Sequence, residues 1–287
     1  MKDYAIRTTA YEGQVRAFAA RTTKLVQTLQ QRHGTWPIAS AALGRTVTIG
    51  AMMGMMLKNK TDKLTIQIQG DGPLGSIVAT ANPQGEIRGY VQNPHVHMEK
   101  NAQGKLNVGG AVGKGTLNVV QDLGLKEPYR GNVELVSGEL AEDFSYYFTV
   151  SEQTPSAVAA GVLVQPDNTV SRAGGFILQM LPGATDEAIE RVETGVRRVG
   201  SVTDLLLAGA SPEDLLENVL GEQIDVQASL PLTFRCECSR ERIENMLSAL
   251  GPDDIRSLLE EQGEARVQCH FCNETYVLSA EELESLL

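Results

Sequence analysis

Cysteine is absent from the first 235 of the 287 residues, and only four cysteines follow. A disulfide framework is thereby excluded for most of the chain. Lysine is absent from Pro182 onward, where 8 Arg stand against 22 Asp or Glu, so this stretch carries −14 and the first 181 residues +3 of the net −11. Such an acidic surface repels phosphate backbones and argues against nucleic acid as a partner. The opening residues, Met1-Lys2-Asp3-Tyr4-Ala5-Ile6, lead into no apolar core of signal-peptide length. The most apolar window, residues 39–57, is interrupted by Arg45, Thr46 and Thr48, which disfavours a membrane span. A soluble, intracellular protein with reduced thiols is expected.

Enzyme signatures are also missing. No nucleophilic-serine elbow or dinucleotide fingerprint occurs. The run from Gly109 to Thr116 fails as a phosphate loop, because Val108 stands where the first glycine belongs and Gly115 follows Lys114. A flexible turn is the expectation there. His95 and His97, with Glu99 beside them, would share one face of a strand, and surface histidines are expected rather than a metal site.

What is present is concentrated near the C-terminus. Cys236 and Cys238 form Cys-x-Cys, Cys269 and Cys272 form Cys-x-x-Cys, and 30 residues separate the motifs. Two close pairs joined by a domain-sized loop predict a tetrahedral site for one zinc per chain, each turn delivering two thiolates. His270 lies inside the second motif, but four thiolates complete the tetrahedron, so it is expected as an exposed turn histidine. A site filled by four protein sulfurs leaves no open position for substrate, and no catalytic residue is assigned.

Periodicity predicts an α+β fold with three regions. Residues 1–181 read as an N-terminal domain: an opening strand, helices to about Leu57 that bury Met52 and Met56, then many strands. Leu64, Ile66 and Ile68 alternate with polar residues, and Asn82-Pro83-Gln84-Gly85 and Gln165-Pro166-Asp167-Asn168 read as hairpin loops. Short strands are predicted at 106–108, 116–120 and 132–136, and a helix at 139–147. Residues 182–229 read as a helical linker, with Ile189, Val192 and Val196 at helical spacing and Ser211-Pro212-Glu213-Asp214 as a start signal. Narrow apolar stripes make such helices depend on docking. Residues 230–287 read as a small C-terminal zinc module, with Ser279 and Glu282 forming a capping box.

A module this small is marginal without metal. Thiolates are also what oxidants attack first, and Arg235, Arg240 and Arg242 add positive charge near the first pair. Four cysteines allow three pairings. Pairing within each motif would leave no long-range tie and would expose Leu230, Leu232, Phe234 and Val267; the other two pairings would keep the segments joined.

Over essentially its whole length the chain resembles the bacterial redox-regulated holdase chaperones of the thirty-three-kilodalton heat-shock protein family. The likeness rests on Cys236-Glu237-Cys238 with Cys269-His270-Phe271-Cys272-Asn273, on Ser137-Gly138-Glu139-Leu140-Ala141-Glu142-Asp143-Phe144, on Ser151-Glu152-Gln153-Thr154-Pro155-Ser156, and on Gly174-Gly175-Phe176-Ile177-Leu178-Gln179-Met180-Leu181-Pro182-Gly183. The resemblance implies a cytoplasmic chaperone that is inactive while reduced and zinc-bound. It implies oxidation to Cys236–Cys238 and Cys269–Cys272 disulfides, zinc release, a loosened linker, homodimerisation, and ATP-independent binding of unfolding client proteins. A zinc-ribbon nucleic-acid binder and a thiol-dependent redox enzyme are the alternatives.

Overall fold

Period-two burial along the N-terminal strands sets the layering of the fold. The computed structural model describes residues 2–287. The chain opens with β1 (Tyr4–Ala10) and β2 (Val15–Arg21), then α1 (Thr23–His33) and α2 (Pro37–Gly54). There follow β3 (Lys63–Gly70), β4 (Ser76–Ala81), β5 (Glu86–Val91), α3 (Val108–Val112), β6 (Gly115–Asp122), β7 (Tyr129–Glu134), α4 (Ala141–Val150), β8 (Ser156–Val164) and β9 (Val170–Met180). Next come α5 (Asp186–Val199), α6 (Val202–Leu207), α7 (Pro212–Leu220), β10 (Ala228–Pro231) and β11 (Thr233–Phe234). The chain ends with α8 (Arg240–Ser248), α9 (Pro252–Gln262), β12 (Glu264–Gln268), β13 (Thr275–Ser279) and α10 (Ala280–Glu284). The class is α+β, as expected. Two compact units form, Met1–Phe234 and Arg235–Leu287.

In the first unit one sheet has the order β10-β1-β2-β9-β8 and the other β11-β5-β4-β3-β6-β7, antiparallel except where β11 runs parallel to β5. Helix α2 packs on β2, β8 and β9 of one sheet and on β3, β4 and β5 of the other. Its small residues permit this: a Cβ on Gly44 would lie 2.7 Å from methyls of both Val162 and Val26. Its one charge, Arg45, pairs with Glu139 at 2.7 Å. Among the described residues no helix is long and apolar enough to cross a membrane.

The first sheet is apolar on both faces. Phe18, Ala20 and Ile177 face the core that contains α2, whereas Ile6, Ala17, Ala19, Phe176 and Leu178 join a second core with Val192, Leu206, Leu215, Leu216 and Val219. Helices α6 and α7 lie on this second face, and α5 packs on α7. The Tyr11 hydroxyl donates to Leu220 O at 2.6 Å, and the Tyr4 hydroxyl to Glu213 Oε2 at 2.6 Å, fastening α7 to the sheet. Ser211 caps α7 and Thr185 caps α5. The buried face of α5 is Ala188, Val192 and Gly195, so Ile189, expected inward, is 38 % exposed.

Several sequence expectations are corrected here. A hairpin replaces the single opening strand, turned at Tyr11, Glu12 and Gly13 with positive φ. No strand forms at 106–108; the Asn107 side chain accepts from the Gly110 amide and starts α3, so Gly109 and Gly110 are helical and the expected turn shrinks to Gly113 and Lys114 before β6. His95, His97 and Glu99 lie outside any strand, and the His95 ring instead sits 5.6 Å from that of Trp36. The boundary expected at Leu230 falls after Phe234, because β10 pairs with β1 and β11 with β5. Leu230, Leu232 and Phe234 accordingly belong to the first unit's core, Leu232 being 7 % exposed, and loss of the second unit's fold would not by itself uncover them.

Candidate metal centre

The second unit is built around a hairpin. β12 and β13 pair from Glu264↔Ser279 to Gln268↔Thr275, leaving residues 269–274 as the connecting turn. The Cys269 amide donates to Glu274 O at 2.9 Å and the Asn273 amide to Cys269 O at 2.8 Å. Asn273 has φ 63°, a left-handed conformation that asparagine tolerates better than most residues. This tight turn aims the sulfurs of Cys269 and Cys272 to one side. The first motif ends where α8 begins: Ser239 Oγ accepts from the Arg242 amide at 3.2 Å, and the Arg242 guanidinium donates to Glu237 O at 3.1 Å. The helix start thus supplies the sharp bend that a one-residue spacer requires. Beneath both motifs lie Ile243, Leu247, Ile255, Ala265, Leu278 and Leu283, a small core.

The four cysteines come together. Their sulfurs all lie within 4.8 Å of one another, with Cys236 to Cys269 at 3.7 Å and Cys238 to Cys272 at 3.1 Å. None is bonded to another. A tetrahedral ion with metal–sulfur bonds of about 2.3 Å needs sulfurs about 3.8 Å apart, so the donor set fits a metal with little rearrangement. Cys272 is 4 % exposed and the other three are half-buried. Burial, followed by the contact with Cys238, pushes the Cys272 thiol well up. Burial opposes ionisation of Cys236 too, but the Cys238 amide and neighbouring thiols bring it down to about 7. One thiolate therefore forms readily while another resists, which is how crowded thiols behave when a bound cation is needed to ionise them all.

Among the described residues this is the group with metal-ligand geometry, and His270 is not part of it. Arg240 pairs with Glu282 and Glu244, and Arg242 with Glu237. Carboxylates thus offset part of the positive charge expected near the first pair, while Arg242 stays close to it through Glu237 O. One neighbour went unnoticed in the sequence: the Tyr276 hydroxyl donates to Cys238 Sγ at 3.2 Å. Its position on the inward side of the strand after Cys-x-x-Cys was the available signal.

Known proteins resemble the whole chain. A family model described as Hsp33 protein matches residues 3–279. The 33 kDa chaperonin of Bacillus subtilis is 54% identical over 285 residues, covering 99% of this chain and 98% of that one. The 33 kDa chaperonin of Geobacillus kaustophilus is 52% identical over 288 residues, covering 100% and 98%. The crystal structure of the 33 kDa chaperonin (heat shock protein 33 homolog) of Thermotoga maritima superposes with a TM-score of 0.93 at 38% identity, covering 100% of this chain and 98% of that one. Fold, thiol cluster and sequence agree over the same length, and the chain belongs to the Hsp33 family.

Proposed function

We propose that the protein is a redox-regulated, ATP-independent holdase, without enzymatic turnover, that captures unfolding proteins in the cytoplasm during oxidative stress. Cys236, Cys238, Cys269 and Cys272 are its ligands for one zinc in the reduced state. The observation that carries this reading is the collection of four sulfurs, none joined in a disulfide and drawn from two distant segments, at one point of a small unit. Bound there, zinc would cross-link the segments with about 10–16 kcal/mol of apparent binding energy, comparable to the ~5–15 kcal/mol that holds a typical domain.

Oxidation removes that tie. In each motif two thiols give two electrons and two protons to hydrogen peroxide, which becomes two waters, and Cys236–Cys238 and Cys269–Cys272 bonds form. Both bonds are local, so neither joins the segments. The core of the second unit, from Ile243 to Leu283, is small enough to be lost with the tie. We assign residues 1–181 as the substrate-binding domain, 182–229 as a linker, and the switch, expected to begin at 230, to the second unit, Arg235–Leu287. The packing of α6 and α7 over Ile6, Ala17, Ala19, Phe176 and Leu178 supports a linker that covers apolar surface in the resting state. Undocking it would present that surface to an unfolded client, and exposed apolar patches of this kind mark interaction sites and favour association into a homodimer. The acidic charge from Pro182 onward disfavours nucleic acid.

The test treats the reduced, zinc-loaded protein with graded hydrogen peroxide. Released zinc, disulfide connectivity by peptide mapping, and suppression of a denaturing client's aggregation are measured together. One zinc per chain lost in step with two intra-motif bonds and gain of protection is expected. Protection by the fully reduced protein, or a dominant bond between the motifs, would overturn the reading.

A further inference from the structure

The fold brings an aromatic hydroxyl to one corner of the thiol cluster. Pairing places Tyr276 opposite Val267 and two residues from the fully buried Leu278. Tyr276 and Val267 both pack against the core of Ile243, Leu247 and Leu278. From this anchored position the Tyr276 hydroxyl donates to Cys238 Sγ at 3.2 Å. The same sulfur lies 3.1 Å from that of Cys272, and Cys238 immediately precedes Ser239, the cap of α8. Arg240, in the first turn of that helix, donates to Val277 O at 3.2 Å and pairs with Glu282. Helix α8 is thus tied to strand β13 and to α10 beside the Cys238–Tyr276 contact, so the hydroxyl's place is set by the fold.

A hydroxyl donor at a thiolate withdraws charge from sulfur and occupies a lone pair. We propose that Tyr276 is a positioning residue that holds and shields the Cys238 thiolate, setting how readily this corner of the cluster yields to an oxidant. The inference rests on the metal and redox reading above. In the step concerned, a sulfur lone pair attacks hydrogen peroxide. The O–O bond breaks, an S–O bond forms, and hydroxide leaves. A second thiolate then displaces hydroxide from the sulfenic acid, forming S–S. Two electrons pass from two sulfurs to the peroxide, and two protons complete two waters. While Tyr276 donates to it, Cys238 offers less charge to the first of these steps. The same donor orients the sulfur as a ligand, as outer-shell partners of metal sites do.

Tyr276→Phe keeps the ring and removes the donor. With cobalt(II) in place of zinc, the variant's sulfur-to-cobalt charge-transfer band should move to longer wavelength, while its tetrahedral ligand-field bands stay in place. Competition with a chelator should show zinc affinity reduced by about tenfold, and alkylation mapping should show Cys238 consumed earlier by peroxide. Incorporating 3-fluorotyrosine at position 276, a stronger donor of nearly the same shape, should move the charge-transfer band the other way. A band that moves in neither variant, with unchanged chelator competition, overturns the inference. If the unmodified protein itself binds no zinc, or keeps it under peroxide, the functional reading fails, and the failure is recognised because it appears before any substitution.

Discussion

The contact between α5 and α7 can be forced open by one methyl group. A Cβ on Gly195 would lie 1.7 Å from the carbonyl oxygen of Val219 and 2.9 Å from its carbon. Backbone cannot yield as a flexible side chain does, so Gly195→Ala requires the helices to separate by about 2 Å before the approach becomes an ordinary van der Waals contact. Alanine in a helix interior is favoured over glycine by ~1 kcal/mol, while overpacking a fitted interface costs about 1–3 kcal/mol. The net weakening is then roughly 0–2 kcal/mol, and a clash with backbone at 1.7 Å places it toward the upper end, up to a ~30-fold rise in the undocked population of α5–α7. Hydrogen exchange on the reduced protein should show faster exchange across residues 186–220 and unchanged exchange in β3 and β6. The variant should protect a denaturing client at a lower peroxide dose than its parent. Unchanged exchange would refute the packing argument. Faster exchange without any gain in protection would refute the idea that these helices cover the client surface.

Other perturbations probe separate links. Ser211→Ala removes a cap in which Ser211 Oγ accepts from the Asp214 amide at 3.1 Å; the loss of ~1 kcal/mol should shift activation in the same direction but less, read from the peroxide dose at half-maximal protection. Cys269→Ser should lose most zinc affinity by metal analysis, and parental retention would contradict a four-thiolate site. The Tyr4 phenol is pushed up to about 12 by burial and by its hydrogen bond to Glu213. Its folded value exceeds the usual ~10, so its contribution to holding α7 is complete below ~10 and is lost as pH rises through about 12. Absorbance titration should show several late-ionising tyrosines, Tyr11, Tyr147 and Tyr276 being raised too, and one fewer of them in Tyr4→Phe. Asp143, fully buried, accepts from the amides of Val136, Ser137, Gly138 and Leu140. Asp143→Asn should destabilise the first unit by about 2–3 kcal/mol, seen as a lower melting temperature with zinc binding intact.

Much of this architecture was legible in residue order, for identifiable reasons. Leu64, Ile66 and Ile68 announce β3 because one face of that sheet is polar. The loops at 82–85 and 165–168 announce hairpins because their residues suit turns. The thiol cluster was legible because four cysteines in two tight motifs have the spacing of a metal site. Strand β2 was hidden: Ala17, Ala19 and Ala20 carry helical preference, and two apolar faces erase alternation. β10 and β11 were hidden because their partners, β1 and β5, are distant in the chain. Ile189 was misplaced because Gly195, not a large side chain, marks the docked face of α5. Tyr276 is signalled only by its inward place on the strand after Cys-x-x-Cys, because hydrogen bonding to sulfur leaves no motif of its own.

Between α7 and Arg235 the chain is sewn to both sheets, four residues against β1 and then two alongside β5, with the Thr233 amide donating to Gly85 O at 2.9 Å. The seam works as a firebreak. On the proposed reading, disorder that starts among the cysteines would have to rip out these stitches before it reached α7, separating metal loss from helix release in time. A brief pulse of oxidant would then end while the seam held, and sustained exposure would burn through it. Such a sensor would have a memory span, set by six residues that contain neither a cysteine nor a charge.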